Sequence, residues 1–193
     1  MEKTEHKNEK SRGRYEVIAK YFLLTMLLSF LGWAFETALM LFMTGRFHDQ
    51  GFMKMPFCPI YGCSLMATYF LIGTPDERRG LLKGAEATIP RYAVYFAVAF
   101  LAPTVAELAV GFFFDTRYGI RLWSYDYLPY NFRGYISLPV SLGWAFLIFI
   151  FMKYFFPPLK KGVFKLPKGF ASITASLLFI AVLLDMALSF RGI

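Results

Sequence analysis

Three carboxylates interrupt long apolar runs: Glu36 in "GWAFETALM", Glu107 in "PTVAELAVG" and Asp185 in "LLDMALSF". An aspartate at the centre of a membrane helix costs about 2.5–3.5 kcal/mol on insertion scales. Such groups therefore face a bundle interior or a wet cavity, or take up a proton. Kept there, a carboxylate can hold a cation, exchange a proton, grip a basic group on a solute or pair with an arginine. Glu36 lies seven residues before Met43, Glu107 seven before Phe114, and Asp185 five before Phe190. At 1.5 Å per residue, each sits roughly 8–11 Å below the end of its run. Three acids at one depth on three helices would line a single outward-facing cavity. The plainer alternative is that they pair with Arg46, Arg117 or Arg121 and brace the bundle.

The elements that must carry these acids are membrane helices. Of the 193 residues, 57% are hydrophobic and 20% aromatic, against roughly 45–50% apolar for a soluble domain. Five apolar segments can be drawn: Val17 to Met43, Phe57 to Gly73, Arg91 to Phe114, Gly134 to Phe156, and Gly169 to Phe190. Most are near the ~20 residues that cross a ~30 Å core. The second is the shortest and carries Pro59 and Gly62 near its start. The expected fold is an all-α membrane protein, a bundle of about five transmembrane helices with two irregular outer loops. Residues 1–16 form a polar arm, and 17–193 a single transmembrane domain.

The net charge of +8 does not point to nucleic acid, because the basic residues gather at the ends of spans. With a cytoplasmic N-terminus, only Arg46, Lys54, Arg117, Arg121, Arg133 and Arg191 fall outside. The other basic residues lie in the arm and at Lys20 just beyond it, in the Thr74–Arg91 loop and in the Lys153–Lys168 connection, which favours N-terminus in and C-terminus out. Cys58 and Cys63 share one apolar segment without metal-type spacing, so packing is their reading. No Walker A loop, no zinc motif around His6 or His48 and no G-x-S-x-G elbow is present, so neither an enzyme nor a cofactor is expected.

The two outer connections, "GRFHDQGFMKMPFCPIYG" and "DTRYGIRLWSYDYLPYNFRGYISLP", mix Gly and Pro with aromatics and a few charges. An interfacial belt accounts for Trp123, Tyr125, Tyr127 and Tyr130. Asn131, Arg133 and the paired glycines fit better with a folded re-entrant cap, whose irregular backbone is satisfied by protein or water. Both readings stand at this point. Pro103, one turn before Glu107, frees a carbonyl and should kink its helix. The repeated "LGWAF" at Leu31–Phe35 and Leu142–Phe146 suits close helix packing. Phe47 follows Glu36, and Tyr118 follows Glu107, by eleven residues, which raises a parallel two-helix repeat as one reading.

"FLGWAFE", "GRFHDQGFMKMPFCPIYGCSL" and "LWSYDYLPYNFRGYISLPVSLGW" together resemble a family of small bacterial membrane proteins, the ABC-transporter type IV or CmpB-like family, over about residues 21–155. The family-type positions are Trp33, Glu36, Gly51, Phe52, Pro56, Pro59, Tyr61, Gly62, Glu107, Trp123, Tyr125, Asn131, Gly134 and Trp144. There are two departures. The family usually has an acid directly after the tryptophan of the "LW" element, where this chain has Ser124, with Asp126 two further on. Met55 also stands where a glycine commonly precedes the first-loop proline. The resemblance implies a transport component with a partner ATPase or another membrane subunit.

The expected function is therefore a permease component of the bacterial inner membrane. Glu36 and Glu107 would bind a cation, a proton or a basic group, and Trp123, Tyr125 and Asn131 would line the entrance. Asp126, Asp185, Arg121 and Tyr61 are further candidates. The alternative is a non-transporting membrane sensor or scaffold whose acids are structural.

Overall fold

The computed structural model describes residues 2–47, 53–77, 82 and 88–191, and of these the side chains of all but 2–12 and 88. Five helical segments dominate: α1 (Glu2–Thr44), α2 (Pro59–Ile72), α3 (Thr88–Tyr118), α4 (Leu138–Phe164) and α5 (Lys168–Arg191). Four are long and apolar enough to cross a membrane, α1 doing so over Gly13–Thr44 and α3 over Ile89–Tyr118. The fifth, α2, has 14 residues and spans only about 21 Å of a ~30 Å core. The chain folds as two compact units, Met1–Cys58 with Leu159–Ile193, and Pro59–Pro158.

In the first unit α1 and α5 run parallel. Tyr15 Oη lies 2.7 Å from Ser176 Oγ, and further along the rings of Phe22 and Phe179 meet edge to face at 5.7 Å. Residues 53–58 then lie along both helices without helical backbone. The Cys58 N–H donates to the Ser29 carbonyl at 3.1 Å, and Phe57 packs edge-on against Phe30. Ser29 lies seven residues beyond Phe22 and Asp185 six beyond Phe179, so both sit about 10 Å past that ring pair, on one level. Ser29 is also about 22 Å short of the end of α1. Residues 53–58 are therefore irregular chain lying alongside apolar helix, where every peptide group must find a partner in the protein.

The second unit packs α2 and α4 against α3, each antiparallel to it. Tyr95 donates to the Gly73 carbonyl at the end of α2 at 3.3 Å, and Phe149 of α4 meets Tyr92 and Tyr95 edge-on. Tyr69 of α2 lies 4.8 Å from Phe156 of α4, ring to ring. α3 runs unbroken through Pro103. The Thr104 hydroxyl donates to the Phe100 carbonyl at 2.6 Å, an extra partner beside the bond that proline removes. In α4 the residues Phe151–Phe155 form a π-turn, with Phe156 N–H bonded to the Phe151 carbonyl. The cause lies just beyond. Pro157 and Pro158 offer no N–H and would clash with carbonyls one turn back, and a wider turn relieves that clash.

Candidate functional site

The opening acids part company in the structure. Asp185 is buried, and its two oxygens accept the backbone N–H groups of Lys54 at 3.3 Å and Met55 at 2.9 Å. This carboxylate clamps the irregular stretch after α1. Glu36 lies half-buried on α1, 14 residues beyond Phe22, which places it about 12 Å further along the helices than Asp185. The two acids of this unit thus occupy different levels. Alignment by the ends of the apolar runs misses this, because α1 continues well past the level at which α5 stops.

Glu107 sits in the second unit, on the membrane-spanning part of α3, one turn after the buried Pro103. The phenol of Tyr125 donates to Glu107 Oε1 at 3.4 Å. Tyr125 belongs to a folded lid, residues 119–137, that rises from the end of α3 and feeds α4. Gly119, with φ of 67°, stops α3 in the left-handed conformation that a side chain resists. Strands β1 (Asn131–Phe132) and β2 (Ile136–Ser137) pair antiparallel, Phe132 opposite Ile136. Their turn has positive φ at Arg133 (50°) and Gly134 (71°) and is closed by Tyr135 N–H to Phe132 carbonyl at 3.0 Å.

Asn131 organises this lid. Its amide donates to the Leu128 carbonyl at 2.7 Å, and its oxygen accepts the Gly134 N–H at 3.2 Å. The Gly134 carbonyl in turn accepts the Tyr125 N–H at 2.9 Å, which fixes the residue that reaches Glu107. Gly134 has a second reason to be glycine: a Cβ there would stand 2.5 Å from an Asp126 carboxylate oxygen. Trp123 donates its indole N–H to the Tyr135 carbonyl at 2.9 Å. It lies against Gly111 of α3, where a Cβ would meet Tyr135 at 3.2 Å and Trp123 at 3.4 Å. Trp123 and Asn131 therefore spend their polar groups on the lid's own backbone, and Tyr125 is the lid residue presented to the acid.

A charge network lies further out. Arg121 donates from Nε to Asp115 at 3.2 Å and from Nη1 to Asp126 at 2.9 Å. The same Asp115 oxygen accepts the Tyr135 phenol at 2.7 Å. That hydrogen bond, aided by burial, holds the Tyr135 phenol above its usual 10.0. Ser124 donates to Asp126 at 2.7 Å. Ser124 thus orients the acid two residues after it. Sequence reasoning passed over Asp115 and Tyr135, since both fell at the edges of the drawn spans. Their only signal was a pair of polar groups flanking Arg121.

Tyr61, at the start of α2, packs on Trp144 of α4 with ring centroids 5.3 Å apart. The opposite end of the unit has its own polar chain. Lys153, inside the π-turn, donates to Tyr92 at 3.2 Å, and Tyr92 donates to Asp76 at 3.1 Å. Lys153 had been counted as an orienting charge at a span end. Cys58 is buried and Cys63 exposed, both as free thiols. Among the described residues no cluster has the makeup of a metal site. Gly51 and Phe52, together with His48, lie outside the described residues.

Long apolar helices, a short helix entered from irregular chain, and an acid meeting a folded lid together define a multi-pass protein of the lipid bilayer. The chain belongs to the family described as "Putative ABC-transporter type IV", whose model matches residues 23–190. No curated protein and no solved structure matches it.

Proposed function

We propose that the protein is a transport or permease component of the bacterial inner membrane, with its N-terminus cytoplasmic and its C-terminus outside. In this reading Glu107 is the binding carboxylate of the second unit and takes a cation, a proton or a basic group. Tyr125 stands over it as a gate residue carried by the lid. The observation that carries the proposal is the Tyr125–Glu107 hydrogen bond, which couples a folded outer segment to an acid within a span. An acid at this position is costly unless it is used or paired, and a phenol can release it for an incoming cation. Glu36, in the first unit, is a separate candidate and calls for its own variant. The family's name supports a partner ATPase, which co-purification from native membranes would reveal.

The test is proton and rubidium flux into proteoliposomes, with and without co-purifying subunits. Glu107→Gln should lower flux by at least about tenfold, as expected for loss of a charged partner. Tyr125→Phe should alter its dependence on cation concentration. Unchanged flux in Glu107→Gln removes this site. For orientation, a cysteine placed within 119–133 should label from outside, and one replacing Lys83 should not.

The non-transporting scaffold draws support from the network of Arg121 with Asp115 and Asp126, which ties the lid to the end of α3. The informative charge swap is therefore Arg121→Glu with Asp126→Arg. If the swap restores the lid fold, and Glu107→Gln leaves partner assembly and every measured flux intact, the scaffold is favoured.

A further inference from the structure

The end of the first unit where α4 hands over to α5 carries a cluster of cations whose local acid is already occupied. Lys161, Lys165 and Lys168 are exposed on the turn and its flanks, with Lys160 half-buried beside them. Among the described side chains the one carboxylate at this end is Glu16. It accepts the ammonium of Lys20 at 2.7 Å and lies 3.7 Å from that of Lys168. Lys20 is itself buried and also donates to the Phe164 carbonyl at 3.2 Å, so it caps the last turn of α4. The turn is anchored from within by Tyr21, edge-on to Phe164 at 5.0 Å. The ammonium of Lys168, shared with Glu16, and those of Lys161 and Lys165 are thus carried on an anchored turn at the mouth of a span.

A second feature indicates what they meet. Starting two residues past Lys168, α5 exposes Phe170, Ile173, Leu177, Ile180 and Leu184, a spacing that draws one continuous apolar stripe along a helix. α5 has 24 residues and rises about 36 Å, more than the ~30 Å core, so Lys168 lies at headgroup level while the stripe lies among acyl chains. Free phosphate would use the cations alone. A phospholipid uses both, its phosphate at the lysines and its tails along the stripe.

We infer that the α4–α5 turn, with Lys161, Lys165 and Lys168, is a binding site for an anionic phospholipid whose acyl chains lie along the exposed stripe of α5. Basic groups at a membrane surface attract anionic headgroups, and screening by salt weakens that attraction. This inference is independent of transport and survives if the role of Glu107 fails.

The full-length protein in dodecyl maltoside would be titrated with phosphatidylglycerol or phosphatidylcholine, and bound lipid counted by native mass spectrometry. The expected result is about a tenfold preference for phosphatidylglycerol, given several lysines near one headgroup. Lys161→Gln, Lys165→Gln and Lys168→Gln together should abolish the preference, and the same three positions changed to Arg should keep it. Shortening the stripe with Ile173→Ala and Leu177→Ala should weaken both lipids equally. Equal binding of the two lipids by the wild type overturns the site, as does a triple Gln variant that retains the preference. Displacement of phosphatidylglycerol by millimolar inorganic phosphate overturns the lipid assignment. All three lysines are exposed, so loss of preference with unchanged thermal unfolding reads binding and not fold.

Discussion

The two connections that follow α1 and α3 look alike as text, each rich in aromatics, Gly and Pro, yet they are stabilised by opposite means. In the first, residues 53–58 are irregular chain that leans on other elements: Lys54 and Met55 donate to Asp185, on a helix more than a hundred residues later, and Cys58 to the Ser29 carbonyl of α1. The second supplies its own partners: a two-stranded hairpin, the Asn131 bridge and the Arg121 network, all within or beside the lid. Similar composition therefore does not imply similar architecture. A loop beside apolar helix depends on whichever neighbour offers acceptors, whereas a loop at the surface can close on itself and draw on water.

This contrast makes Asp185 the most sensitive position. Asp185→Leu would leave the part-buried backbone N–H groups of Lys54 and Met55 without their acceptor, a loss of about 1–3 kcal/mol. It should appear as a lower unfolding temperature in detergent, while Asp185→Asn, which keeps one acceptor, should lose about half as much. If Asp185→Leu unfolds like the wild type, the first connection is as self-sufficient as the second.

Within the lid the backbone bridges outrank the ion pairs. Gly134→Ala meets both a positive φ and the Asp126 carboxylate, and should cost about 1–3 kcal/mol. It should speed proteolysis between residues 119 and 137. Asn131→Ala should have a similar but smaller effect, about 1–2 kcal/mol. Arg121→Gln should cost less, about 0–1 kcal/mol per pair, because the side chain is 44% exposed and exposed pairs are weak. A lid cleaved faster in Arg121→Gln than in Gly134→Ala would reverse that ranking.

The smallest effect expected is a pH dependence. The Tyr135 phenol is held above 10.0 chiefly by its hydrogen bond to Asp115, so its neutral form is favoured by folding. Its contribution is fully present below pH 10 and is lost as pH rises through the elevated value. Lid proteolysis should accelerate in that alkaline window for the wild type and show no such step in Tyr135→Phe. A wild type indifferent to that window would mean that the phenol adds nothing to the lid.

Much of the architecture was legible in the chain. The long runs marked the helices, since ~20 apolar residues have few other stable homes. The segment carrying Pro59 and Gly62 stood out as the shortest but was still counted as a span, whereas the helix there has only 14 residues. Asn131 and Gly134 raised a folded cap beside an interfacial belt, without choosing between the two. The partners were not legible. Asp185 was read as a cavity acid or an arginine partner, and nothing in its neighbours on the chain indicates a backbone clamp, because its acceptor role depends on residues 130 positions away. Arg121 was matched to the acids within spans, whereas Asp115 and Asp126 stand closer in space.

By itself, then, the sequence determined that this chain lies in a bilayer, which stretches form its apolar helices, and which polar residues are too costly there to be incidental. These follow from local properties: hydropathy, helix periodicity, and the backbone limits of proline and glycine. Only the tertiary structure decided which acid clamps backbone, which meets the lid, and which lies at another level. Those outcomes depend on how far each helix extends beside its neighbour and which donor it brings within about 3 Å, a matter of packing that no single stretch of chain encodes.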